Sequence, residues 1–111
     1  MEGAMQRIEL QEKHRIELHG DDGTRLSVTR LKPGLILIAI SGDDGGSLGP
    51  APFVEIEREL ERHQPAELFI DLRDAVGAVA EVRDAWTNWF QRQQARLRRV
   101  SILTSARSRR R

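Results

Sequence analysis

Hydrophobic positions along this chain change their spacing twice, and each change marks a strand giving way to a helix. Between residues 14 and 19, Ile16 and Leu18 alternate with Arg15, Glu17 and His19, a period of two that predicts a half-buried strand. The pentads QRIEL at residues 6–10 and HRIEL at 14–18 repeat once, which is too short an array for a solenoid. Gly20-Asp21-Asp22-Gly23 predicts a tight reversal, and a second strand over 24–30 then faces Leu26 and Val28 inward. Lys32-Pro33-Gly34 predicts another turn, followed by an unbroken apolar run at 35–40, the pattern of a strand covered on both faces.

Residues 41–52 contain GDDGGSLGPAP, a loop by composition. It lacks the alternating ligands and distal glutamate of a calcium loop and the lysine ending of a phosphate-binding loop. Pro52 leads a predicted helix over 53–63, with Phe53, Ile56 and Leu60 on its inner side and Glu55, Glu59 and Arg62 toward water. His63 falls in its last turn, where a cationic ring suits the helix dipole. After Pro65, the adjacent Leu68, Phe69 and Ile70 predict a strand over 66–72 buried on both faces. Asp71 closes the apolar run, and Asp74 and Gly77 mark a turn. From Ala78 the period becomes helical and gathers Val82, Trp86, Trp89, Phe90 and Leu97 on one face. A last core strand is expected at 100–103. The order is strand, strand, strand, helix, strand, helix, strand, an α/β arrangement whose later strands run parallel through right-handed crossovers.

A chain of 111 residues allows one domain, here 1–104, followed by a basic tail at 105–111. The absence of cysteine excludes disulfides, thiolate catalysis and cysteine metal sites. The longest apolar run is far too short to cross a bilayer, and the N-terminus does not have the pattern of a signal peptide. The expectation is a cytoplasmic protein with no transmembrane segment. Charge is unevenly distributed: residues 1–90 hold 10 basic and 17 acidic residues, net −7, while residues 91–111 hold 8 arginines and no acid. Arg107, Arg109, Arg110 and Arg111 are therefore candidate contacts for an anion or a nucleic acid, or for the acidic body of this chain or of a second copy.

His14, His19 and His63 fall in separate elements, and the spacing of His14 and His19 sets them on opposite strand faces, so no metal site is expected. Asp71, Arg73 and Asp74 form the one convergent polar group, at the C-terminal end of a strand where α/β proteins place ligands. A small enzyme or ligand sensor at that turn is one reading, but no nucleophile or cofactor anchor accompanies it. A non-enzymatic protein-interaction module without cofactor is the main expectation, with Asp71, Arg73, Asp74, Trp86 and Trp89 as its contacts. A nucleic-acid adaptor using the arginine tail is the alternative. The two tryptophans fit either a packed core or the buried centre of an interface.

From about residue 24 to residue 104, LILIAISG followed by the helix at 53–63, and ELFIDLRDAVG leading into the second helix, resemble the STAS fold. That is the fold of bacterial anti-sigma-factor antagonists and of sulfate-transporter cytoplasmic regions; the related SpoIIAA-like group, which has no phosphorylation switch, fits as well. The resemblance implies a mixed sheet with helices packed on it and a regulatory or scaffolding role. Family antagonists carry a phosphorylatable Ser or Thr just after the Asp-ending strand. Asp71 matches that acid, but residues 73–78 read RDAVGA and contain no hydroxyl, so Asp74 is the candidate for a constitutive negative charge in its place. The usual terminal helices are replaced by TSARSRRR, and a homodimer covering the surface they leave open is expected.

Overall fold

A computed structural model describes residues 5–105. Six strands, β1 (Met5–Leu10), β2 (Arg15–Gly20), β3 (Arg25–Lys32), β4 (Leu35–Asp44), β5 (Ala66–Ala78) and β6 (Leu97–Leu103), form one mixed sheet in chain order. Two helices, α1 (Ala51–Arg62) and α2 (Ala80–Arg92), connect the last three strands. Strands β1 to β4 are antiparallel neighbours, while β4, β5 and β6 are parallel. The chain is thus a mixed α/β protein, with the parallel half that the two helical crossovers demand.

The first strand was not expected. The shared RIEL of both copies, residues 7–10 and 15–18, lies in strands paired across a short turn that His14 closes with a left-handed φ of 52°. His14 thus sits in a turn rather than on a strand face, while His19 lies in β2 with Nε2 3.2 Å from Glu17 Oε1.

Both helices lie on the same side of the sheet. The Trp89 indole donates Nε1–H to Glu57 Oε2 at 2.7 Å, and Phe53 of α1 packs edge-on against Trp86 of α2 with ring centroids 4.7 Å apart. The core is the layer between: Leu18, Leu26, Val28, Ile36, Ile38, Leu68 and Ile70 from the sheet, Ile56, Leu60 and Trp89 from the helices. Two consequences correct the sequence reading. Strand β5 is not covered on both faces: Ala66, Leu68 and Ile70 are buried, but Phe69 on the opposite face is 44% exposed. Strand β6 is an edge rather than a core strand, with Val100, Ile102 and Leu103 exposed, because α2 shelters it only in part and it is the last strand of the sheet.

Three element limits also move. Strands β4 and β5 continue past Ser41 and Asp71 as a parallel ribbon, pairing Ser41 with Asp74, Gly42 with Ala75 and Asp44 with Ala78. Bulges near residues 39–43 let the ribbon absorb residues that read as loop and turn. Gly42, at φ 91°, has no room for a side chain, since a Cβ there would lie 2.7 Å from the Gly23 carbonyl oxygen. The expected loop shrinks to residues 45–50, held by Asp22, whose carboxylate accepts from Gly45 N–H at 2.9 Å and Ser47 Oγ at 2.7 Å. Helix α2 ends at Arg92, so Leu97 belongs to β6 and not to the helix face. Glu55, expected in water, is 6% exposed, because β1, at the edge of the sheet, supplies Arg7 as its partner.

Candidate functional site

The residues singled out from the sequence occupy two separate places. Asp71, Arg73 and Asp74 lie along the outer stretch of β5. Arg73 grips Asp71 in a two-pronged pair, Nε to Oδ1 at 3.0 Å and an outer nitrogen to Oδ2 at 2.9 Å, and its backbone N–H adds a third bond at 3.1 Å. The Arg73 side-chain bonds, with that backbone N–H, hold the Asp71 carboxyl below the usual carboxylate range. Asp71 and Asp74 border a shallow hollow of about 200 Å³ on the uncovered face, together with Glu17, His19, Arg25 and Ser41.

Trp86 and Trp89 are on the helix-covered side. Trp89 is wholly buried and its polar edge is satisfied by Glu57, so it acts from within, as packing. It stacks on Phe53 at 5.5 Å and meets Trp86 edge-on at 6.2 Å, and these contacts hold Trp86 in a half-buried position.

Trp86 stands between two apolar hollows. The larger, about 400 Å³, lies between α2, the outer ribbon of β5 and the end of β6; its walls are Leu72, Val76, Val82, Trp86, Phe90 and Ile102. The smaller, about 280 Å³, lies on the other side of Trp86 against Leu48, Pro52 and Phe53. Asp44 borders both. Burial raises the pKa of its carboxyl, and the charges of Asp22 and Asp43 add to the effect, against one stabilising hydrogen bond from Gly46 N–H at 3.0 Å. Asp22 shows the opposite balance: burial works to raise its pKa, but hydrogen bonds from Thr24, Ser47 and Gly45 outweigh it and leave the carboxyl far below its ordinary value.

This groove was missed in the sequence. The apolar residues Leu72, Val76 and Ala78 follow Asp71 at even spacing, but the stretch reads as a turn until the pairing with β4 is known.

Topology also sorts the charges. The turn after β2 and the C-terminal ends of β4 and β5 meet at one end of the sheet and bring together Asp21, Asp22, Asp43, Asp44, Asp71 and Asp74. The opposite end gathers Lys13, Arg15, Arg30, Lys32, Arg58 and Arg62. The groove opens at the acidic end. Among the described residues no group of three or more His, Asp or Glu could hold a metal ion, and no helix is long and apolar enough to cross a membrane. Arg107, Arg109, Arg110 and Arg111 lie outside the described residues.

No protein family, curated protein or solved structure matches the chain.

Proposed function

We propose that the chain is a non-catalytic interaction module of STAS-like type, a cytoplasmic regulatory or scaffolding protein whose groove beside Trp86 receives a segment of a partner protein. The observation that carries this reading is the groove itself, walled by large apolar side chains and open to solvent. Val76 on its rim is 78% exposed, a large apolar residue with no cover of its own. The acidic end around it selects the chemistry of the partner: a helical segment with an apolar face for the groove and basic residues for Asp43 and Asp44. Trp86, held by Phe53 and Trp89, is the rigid anchor that such a contact favours. Asp71, Arg73 and Asp74 form a charged margin near the same end, within β5 and ahead of α2, and Asp74 remains the candidate for a constitutive negative charge in place of a phosphorylatable hydroxyl.

The test uses two short amphipathic peptides of equal apolar face, one built on leucine and lysine and one on leucine and glutamate, followed through the amide spectrum of the full chain. The basic peptide should shift residues 72–90, and Val76→Asp should weaken it about tenfold or more while leaving the fold intact. Equal binding of both peptides, or no effect of Val76→Asp, rejects this reading. If a second copy is the natural occupant, light scattering returns twice 12.6 kDa, and Val76→Asp restores the single-chain mass.

A further inference from the structure

On the far side of α1 from α2, a cleft of about 370 Å³ opens between that helix, β1, the β1–β2 turn and β3. A space of this size lies within the range of small-ligand sites. Arg7, Arg15, Arg30, Arg58 and Arg62 line it with His14, against Glu9, Glu55 and Glu59; five cations and three anions leave a net +2.

The pairing within the cleft is specific. Glu55 accepts from Arg7 through two nitrogens, one at 3.2 Å, and from Arg58 at 3.3 Å. Glu59 accepts from Arg30 Nε at 3.0 Å and lies 3.8 Å from Arg62 Nε. Each carboxylate is shared by two guanidiniums; Arg7 also meets Glu9 at 3.4 Å, which balances the first group, while Arg30 and Arg62 around Glu59 retain one positive charge. Folding has an evident use for Arg7 and Arg30, which tie strands to α1. It has much less use for Arg58 and Arg62, whose side chains are 58% and 64% exposed and whose surface pairs contribute little to stability. A guanidinium carries five N–H donors, and Arg30, Arg58 and Arg62 each engage a carboxylate through a single nitrogen, which leaves donors for another acceptor.

We infer that this cleft binds a phosphoryl group, an anion drawn by the excess of arginines over carboxylates in the lining and whose oxygens suit arginine donors. The site is independent of the apolar groove and lies toward the basic end of the sheet. Arg58 and Arg62 hold the ligand from α1, Arg30 from the sheet, and Glu55 and Glu59 keep these arginines from splaying apart.

Calorimetric titration of the full chain at low ionic strength with inorganic phosphate, pyrophosphate and a nucleoside diphosphate tests this. Pyrophosphate should bind more tightly than phosphate. A nucleoside diphosphate that binds more tightly still identifies an organic phosphate as the ligand; one that binds more weakly than pyrophosphate identifies the free anion. The double variant Arg58→Gln/Arg62→Gln leaves Glu55 and Glu59 their inner partners Arg7 and Arg30, so it should fold, and it should weaken pyrophosphate about tenfold or more. Arg92→Gln/Arg98→Gln removes two charges outside the cleft and should change binding by less than about twofold, the limit for a distant screened charge. Equal weakening by both double variants, or no heat from pyrophosphate up to about 10 mM, overturns the inference. Val76→Asp should leave phosphate binding unchanged, so the two sites fail or stand separately.

Discussion

At the scale of the residue, the two tryptophans do different jobs although they are three positions apart on one helix. Trp89 fills the core and satisfies its N–H on Glu57, so Trp89→Ala should cost about 3–5 kcal/mol in a urea melt, the range for deleting a buried aromatic. Trp86 is half-buried, so Trp86→Ala should cost less, roughly 1–2 kcal/mol, and should register chiefly as loss of peptide binding. Asp44 carries a testable pH signature. Its raised folded-state pKa means that the folded protein holds this proton more firmly than the unfolded chain. The associated stability is present below the unfolded carboxyl pKa and is lost as pH rises through the folded one. Asp44→Asn, whose side-chain oxygen can still accept from Gly46 N–H, should therefore be more stable than wild type at neutral pH. That advantage should vanish in urea melts as pH falls through the Asp44 pKa; a constant advantage at every pH would contradict the assignment.

At the scale of the element, the outer ribbon of β4 and β5 depends on a close approach that only glycine permits. Gly42→Ala would place a methyl group against the Gly23 carbonyl in a backbone conformation that side chains resist, and should destabilise the protein by about 1–3 kcal/mol. Because the ribbon builds one wall of the groove, amide exchange at residues 43–44 and 75–78 should accelerate first, before exchange at core positions such as Ile38 and Ile70. Uniform acceleration across the sheet would show that the ribbon has no separate stability. The helices were readable from their apolar spacing, since Ile56, Leu60 and Trp89 are buried as the pattern requires. The ribbon was not, because its glycines and aspartates carry the local signals of a turn while their pairing partners lie some 33 residues away in sequence.

At the scale of the whole molecule, antiparallel turns and parallel strand ends divide a nearly neutral chain into an acidic end and a basic end. Partner binding at the groove should then combine a salt-sensitive part with a salt-resistant one. Raising ionic strength to about 1 M, where the screening length falls to about 3 Å, should weaken the basic peptide several-fold and leave a residual affinity from apolar contact. Complete loss of binding at high salt would reduce the groove to a bystander, and no salt effect would remove the acidic rim from recognition.

The sequence by itself determined the strand and helix types, the parallel half of the sheet and most of the core, because alternation and helical spacing depend on neighbours a few residues apart. It also gathered Trp86 and Trp89 on one face of a helix, but it ended at Asp71 a strand that runs on to Ala78. Tertiary structure alone decided that both helices share one face, that β1 exists and buries Glu55, that β6 is an edge, and that Leu72, Val76, Trp86 and Ile102 meet around one groove. These depend on which distant segments pair and which face they leave uncovered, and no local pattern of side chains carries that information.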